Sequence, residues 1–238
     1  MAREFNKNIF IMLLAVMTGV IVITFFIADL QARSQVTEEL TYKHTEEIKD
    51  LESKNINFTT RFINSLGLFD KAREDRAYGD YNFEVAFLWY TSALHETDNA
   101  TFQIYKTRVI THCGDAIANY LNSSGNFITA KQKFQQTKDY THYDVYKNLL
   151  DLYVNLTASG SRLTNYRINA STYLTYLSEN LTFSDNAVIF EQNMTEIYDL
   201  FNQTILLYTT ELTDVYKEVE KDIEEEYDIF GFIEDREL

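Results

Sequence analysis

The pattern with the clearest chemical capacity in this chain is Asn-x-Ser/Thr, present at Asn57, Asn99, Asn122, Asn155, Asn169, Asn180, Asn193 and Asn202. The asparagine amide of such a triplet is the acceptor of an N-linked oligosaccharide in a secreted or surface compartment. With 18 Asn and 36 Ser plus Thr among 238 residues, chance places about 2.7 triplets. Eight are present, so the excess is threefold. Catalytic patterns fail by comparison. There is no Gly-x-Ser-x-Gly elbow, phosphate-binding loop or dinucleotide glycine fingerprint, and His95-Glu96 is followed by Asn99 where a zinc protease needs histidine. Asp80, Asn82 and Glu84 begin like a calcium loop, but Val85 stands where glycine is needed and Thr91 where a bidentate glutamate is needed. His112, Cys113 and Asp115 are close in sequence, yet neighbouring helix positions point about 100° apart, and Cys113 reads as a buried structural thiol. No cofactor, metal site or catalytic residue is expected.

Composition narrows the classes further. Lys plus Arg total 21 against 36 Asp plus Glu, a net charge of -15 that repels a phosphate backbone and argues against nucleic-acid binding. A single cysteine rules out a disulfide framework, and a Cys-poor chain with many sequons fits an archaeal surface protein better than a disulfide-rich ectodomain. The 17 tyrosines read as helix-interface packing, with an aromatic groove as the functional alternative.

Positioning the acceptors begins with the N-terminal segment. Residues 9 to 28 carry no charge, and 20 residues at 1.5 Å each span about 30 Å, one hydrocarbon thickness. Arg3, Lys7 and the α-amino group precede this run while Asp29, Arg33, Glu38 and Glu39 follow it, so the positive-inside rule keeps the first eight residues cytoplasmic and exports the rest. The expected order is a cytoplasmic tip (1–8), a transmembrane helix (9–28), a juxtamembrane helical stalk (29–56), a helical-hairpin domain (57–219) and an acidic tail (220–238).

The absence of proline and the presence of only 7 glycines permit long helices. Apolar residues recur at helical spacing in Phe58, Phe62, Leu66, Phe69 and Ala72, and in Phe102, Tyr105, Val109, Cys113, Ala116 and Tyr120. With Gly79, Gly125 and Gly160 read as helix ends, the spacing predicts helices near 57–78, 83–95, 99–123, 127–138, 142–158, 161–180 and 185–229. The fold class is all-α, a bundle or short solenoid of helical hairpins. In the last helix one stripe gathers Phe190, Ile197, Phe201, Tyr208, Val215 and Val219, with Asn193 near it and Asn202 opposite, which favours Asn202 as an acceptor. Beyond Val219 the acidic end should project into solvent. It closes with Ile229, Phe230, Phe232 and Ile233, candidate partner-docking residues.

Asn82-Phe83 with Ala86, Tyr90 and Ala93 resembles the second half of a tetratricopeptide repeat, and so does Asn126-Phe127 with Ala130 and Phe134. Asn165-Tyr166 with Tyr173 and Leu177 is similar to a third copy in which Asn169 replaces the alanine. The resemblance implies paired helices and protein–protein interaction. The functional expectation is a non-enzymatic, membrane-anchored and glycosylated scaffold that binds another envelope protein or its own copies. The alternative is an extracellular ligand-binding sensor domain signalling through a partner subunit.

Overall fold

With no proline to interrupt them, the apolar stripes form few and long helices. The computed structural model describes the backbone of residues 2–183 and 187–227 and the side chains of 40–183 and 189–225. The helices are α1 (Ala2–Leu94), α2 (Asn99–Thr137), α3 (Asp144–Asn180), α4 (Ala187–Asn193), α5 (Thr195–Glu211) and α6 (Lys217–Tyr227). A 3₁₀ turn, Lys138–Tyr140, precedes α3, and a π turn, Leu212–Tyr216, joins α5 to α6. Among the described residues there is no strand.

The chain divides into two units, residues 1–54 and 55–238. The described side chains of the first unit are exposed, including Leu40, Tyr42, Ile48 and Leu51, and its ion pairs are local, such as Lys54–Asp50 at 2.7 Å. In the second unit, the end of α1, α2, α3 and the α5–α6 rod form an up-down-up-down four-helix bundle. Side-chain bonds give the antiparallel order. Ser123 donates to the Ala72 carbonyl and Ser124 bonds Ser161. Arg162 reaches Glu211, and Arg73 pairs with Glu220 to close the ring. Asp98 caps α2 by accepting from the Thr101 amide at 2.8 Å, satisfying one of the free donors of a helix start.

Two apolar clusters fill the bundle. One gathers Phe83, Ala86, Phe102, Val109, Cys113, Leu174 and Phe201, the other Phe69, Phe127, Phe134, Leu150, Leu163 and Ile223. The cysteine is buried as its position on the stripe implies, and burial pushes its thiol up to about 11.

Several expectations are corrected. Gly79, Gly125 and Gly160 do not end helices; all three lie inside α1, α2 and α3. A Cβ on Gly79 would stand 2.6 Å from the Tyr120 ring, and one on Gly160 would stand 2.6 Å from the Phe127 ring. These glycines admit an aromatic ring against the backbone of the neighbouring helix, a use that a single sequence does not distinguish from helix termination. The stripe of the last helix also shifts: the buried residues are Phe201, Tyr208, Tyr216 and Ile223. Within the π turn the Lys217 amide bonds the Leu212 carbonyl, which inserts one residue and moves the core position from Val215 to Tyr216. The acidic end does not leave the bundle at Val219, because Ile223 is 4% exposed and Glu220 lies 3.1 Å from Arg73.

The two complete tetratricopeptide-like segments lie on α1 and α2, the two helices of a single hairpin, and not each on the second helix of its own hairpin. Their small and aromatic residues Ala86, Tyr90, Phe127, Ala130 and Phe134 are buried. No helix among the described residues is long and apolar enough to cross a membrane. The uncharged run 9–28 falls where side chains lie outside the described residues, as do Ile229, Phe230, Phe232 and Ile233.

Candidate functional site

The two apolar clusters meet at a polar layer centred on Asp80. From α1 its carboxylate accepts from Tyr120 on α2 at 2.7 Å, from the Arg167 Nε on α3 at 3.1 Å and from Tyr208 on α5 at 3.2 Å. All four helices of the bundle thus contribute one group. The Arg167 guanidinium lies 3.9 Å from the Tyr208 ring centroid and 4.5 Å from that of Phe83, so its faces meet aromatic electrons while its edge meets the carboxylate. Burial disfavours the charge on Arg167, but the Asp80 carboxylate and the Tyr208 hydrogen bond oppose it, and the guanidinium is held more basic than usual. Burial, reinforced by Asp80, raises both phenols, which remain neutral donors.

One helical turn earlier on α1, Arg76 stacks on Tyr216 of the π turn, its guanidinium carbon 4.5 Å from the ring centroid. Among the described residues, buried Arg76 Nη1 and Tyr216 Oη have no hydrogen-bond partner beyond their contact with each other, and Tyr216 is 1% exposed. A buried polar atom without a partner costs about 1–3 kcal/mol. Nearby, Glu211 accepts from Arg162 at 2.8 Å and from the Ser159 hydroxyl. Burial pushes this carboxyl up, and the Arg162 and Ser159 bonds overcome that to hold it below its usual range. This assembly places a guanidinium and a neutral phenol against each other beside the π turn.

The sequence reading did not single out Asp80 as part of such a layer, nor Arg76, Arg167 or Tyr216. A signal existed for Arg167, a lone charge among the α3 core positions Leu163, Ala170 and Leu174. Tyr216 was hidden by the added residue of the π turn. Of the residues whose spacing suggested metal or catalytic roles, Asn82 and His112 are brought together, Oδ1 lying 3.2 Å from Nδ1, whereas Glu96 accepts only from the neighbouring Thr97 and Asp98 amides. Among the described residues no three His, Cys, Asp or Glu side chains are grouped for a metal ion.

All eight sequon asparagines are exposed, Asn193 as well as Asn202. The preference for Asn202 over Asn193 assumed one unbroken helix. The backbone departs from helix at Met194, with φ -107° and ψ 20°, and Asn193 is turned outward. Compared with protein-family models, curated proteins and solved structures, the chain matches none.

Proposed function

We propose that the chain is a membrane-anchored, extracytoplasmic, N-glycosylated helical scaffold or interaction protein of the cell envelope, without enzymatic activity. The observation that carries this reading is the outward placement of all eight sequon asparagines on a bundle whose core is otherwise filled. The uncharged run 9–28 and the charges flanking it support an anchor with the bundle outside. The apolar cluster 229–233 supports partner binding. Protease added to intact cells should digest the bundle; protection in intact cells and digestion only after lysis would overturn the reading. A complex recovered in mild detergent should be lost when residues 228–238 are removed, and unchanged recovery would exclude the tail as the docking element.

A second reading, a ligand-binding sensor domain acting through a partner subunit, is favoured by the buried Arg76–Tyr216 pair beside the π turn, which is bonded to no other described side chain. It predicts a rise in melting temperature with a small carboxylate, since a ligand of the native state stabilises it. The rise should vanish in Arg76→Met, and a flat response across a carboxylate library would remove this reading.

A further inference from the structure

The eight sequons are alike in sequence but not in placement. Asn122 lies within α2, Asn155 and Asn169 within α3, Asn202 within α5 and Asn57 within α1, each flanked by helix on both sides. Four of these five also bury the hydroxyl that defines the triplet. Ser124 is 9% exposed, Thr157 and Ser171 are 0% exposed and Thr204 is 8% exposed. The Thr157 hydroxyl donates to the Tyr153 and Val154 carbonyls and that of Thr204 to the Leu200 carbonyl. A transferase that requires the Ser or Thr must touch that hydroxyl, and in these four triplets it faces the bundle; at Asn57, whose Thr59 is exposed, only the uninterrupted helix on both sides sets the triplet apart.

The other three sequons interrupt or border helices. Asn99 is the first residue of α2. Asn180 is the last of α3, followed by extended Leu181 at φ -70° and ψ 128°. Asn193 ends α4 before the break at Met194. Thr182 and Thr195 are exposed and Thr101 is half-buried; the Thr195 hydroxyl also donates to the Glu191 and Gln192 carbonyls, so burial, and not this bond, sets the four inward-facing hydroxyls apart. These triplets share one end of the bundle: Lys106 donates to the Glu179 and Leu181 carbonyls, the Phe102 and Phe183 rings are 5.7 Å apart, and Phe190, just before Asn193, packs in the same cluster as Phe102 and Leu181.

We infer that in the folded chain N-linked glycosylation is confined to Asn99, Asn180 and Asn193, which places the sugars around one end of the bundle and leaves its long sides bare. In each transfer a bond forms between the asparagine Nδ2 and C1 of the sugar. The C1–O bond to the phosphate of a polyprenyl-linked donor breaks, the polyprenyl phosphate leaves, and the amide proton passes to a base of the transferase. The inference rests on the extracytoplasmic reading for its occurrence in the cell, but the selection itself comes from the geometry of the fold.

The test uses the full-length chain in detergent, with a purified oligosaccharyltransferase and its polyprenyl-linked glycan, and reads site occupancy by peptide mass spectrometry. In the folded chain the three terminal sites should exceed the five mid-helix sites by at least about tenfold, the factor imposed by about 1.4 kcal/mol of local opening. Short peptides that carry each triplet outside the fold should lose this selectivity. Equal occupancy in the folded chain would overturn the inference. So would the same preference among the peptides, since local sequence would then be the cause. Absence of glycans on the protein from its own membrane, with selectivity retained in the assay, would overturn the glycoprotein reading instead.

Discussion

Gly79 and Gly160 each leave room for an aromatic ring from the neighbouring helix. An exposed helical glycine replaced by alanine gains about 0.5–1 kcal/mol, which is the expected result for Gly67→Ala and Gly125→Ala, where no atom lies within 4 Å of the new Cβ. At Gly79 and Gly160 the new methyl meets a ring at 2.6 Å, and the Tyr120 ring is held by its bond to Asp80. Gly79→Ala and Gly160→Ala should therefore lose about 1–3 kcal/mol. Urea denaturation of the four variants checks the opposite signs. Glu211 makes a second prediction at this scale. Its folded carboxyl is held below the unfolded value of about 4.3, so its contribution is complete above that pH and is lost as pH falls through the folded value. The melting-temperature gap between the protein and Glu211→Gln should narrow as pH drops below about 4, and a gap that widens on acidification would contradict the assignment.

The π turn shows how an element can be recognised by its pattern and still be misplaced. Phe201 and Tyr208 follow the seven-residue spacing of a regular helix, but the next core residues are Tyr216 and Ile223, one position late. Deleting exposed Thr213 should convert the turn to regular helix while keeping Tyr216 and Ile223 on the core face. The expected result is an unchanged circular dichroism spectrum and a melting temperature equal or higher, with loss of any carboxylate-dependent stabilisation. A collapse in helicity would show that the added residue is required for packing. The helix segmentation was misjudged for a related reason. Apolar periodicity marks helical faces, but whether a glycine ends a helix depends on what lies across from it, and Tyr120 and Phe127 are far away in sequence.

For the whole molecule, the polar layer ties the four helices together where the two apolar clusters meet. Removing one partner leaves the other charge buried. Asp80→Asn should cost about 2–4 kcal/mol, since the Arg167 side chain is 13% exposed. Asp80→Asn combined with Arg167→Met should recover most of that loss, because an apolar side chain needs no partner. Chemical denaturation of the three variants measures the coupling, and strictly additive losses would show that the two groups act independently.

The sequence by itself determined an all-α fold, because proline is absent and apolar residues recur at helical spacing, and it also showed the burial of Cys113 and the number of glycan-acceptor triplets. Tertiary structure alone decided which glycines lie against rings, where the π turn moves the core stripe, and how Asp80, Tyr120, Arg167 and Tyr208 meet. Periodicity depends on neighbours within a few turns of one helix. The polar layer and the inward-facing sequon hydroxyls depend on where other helices lie, and those positions are set by packing between residues distant along the chain.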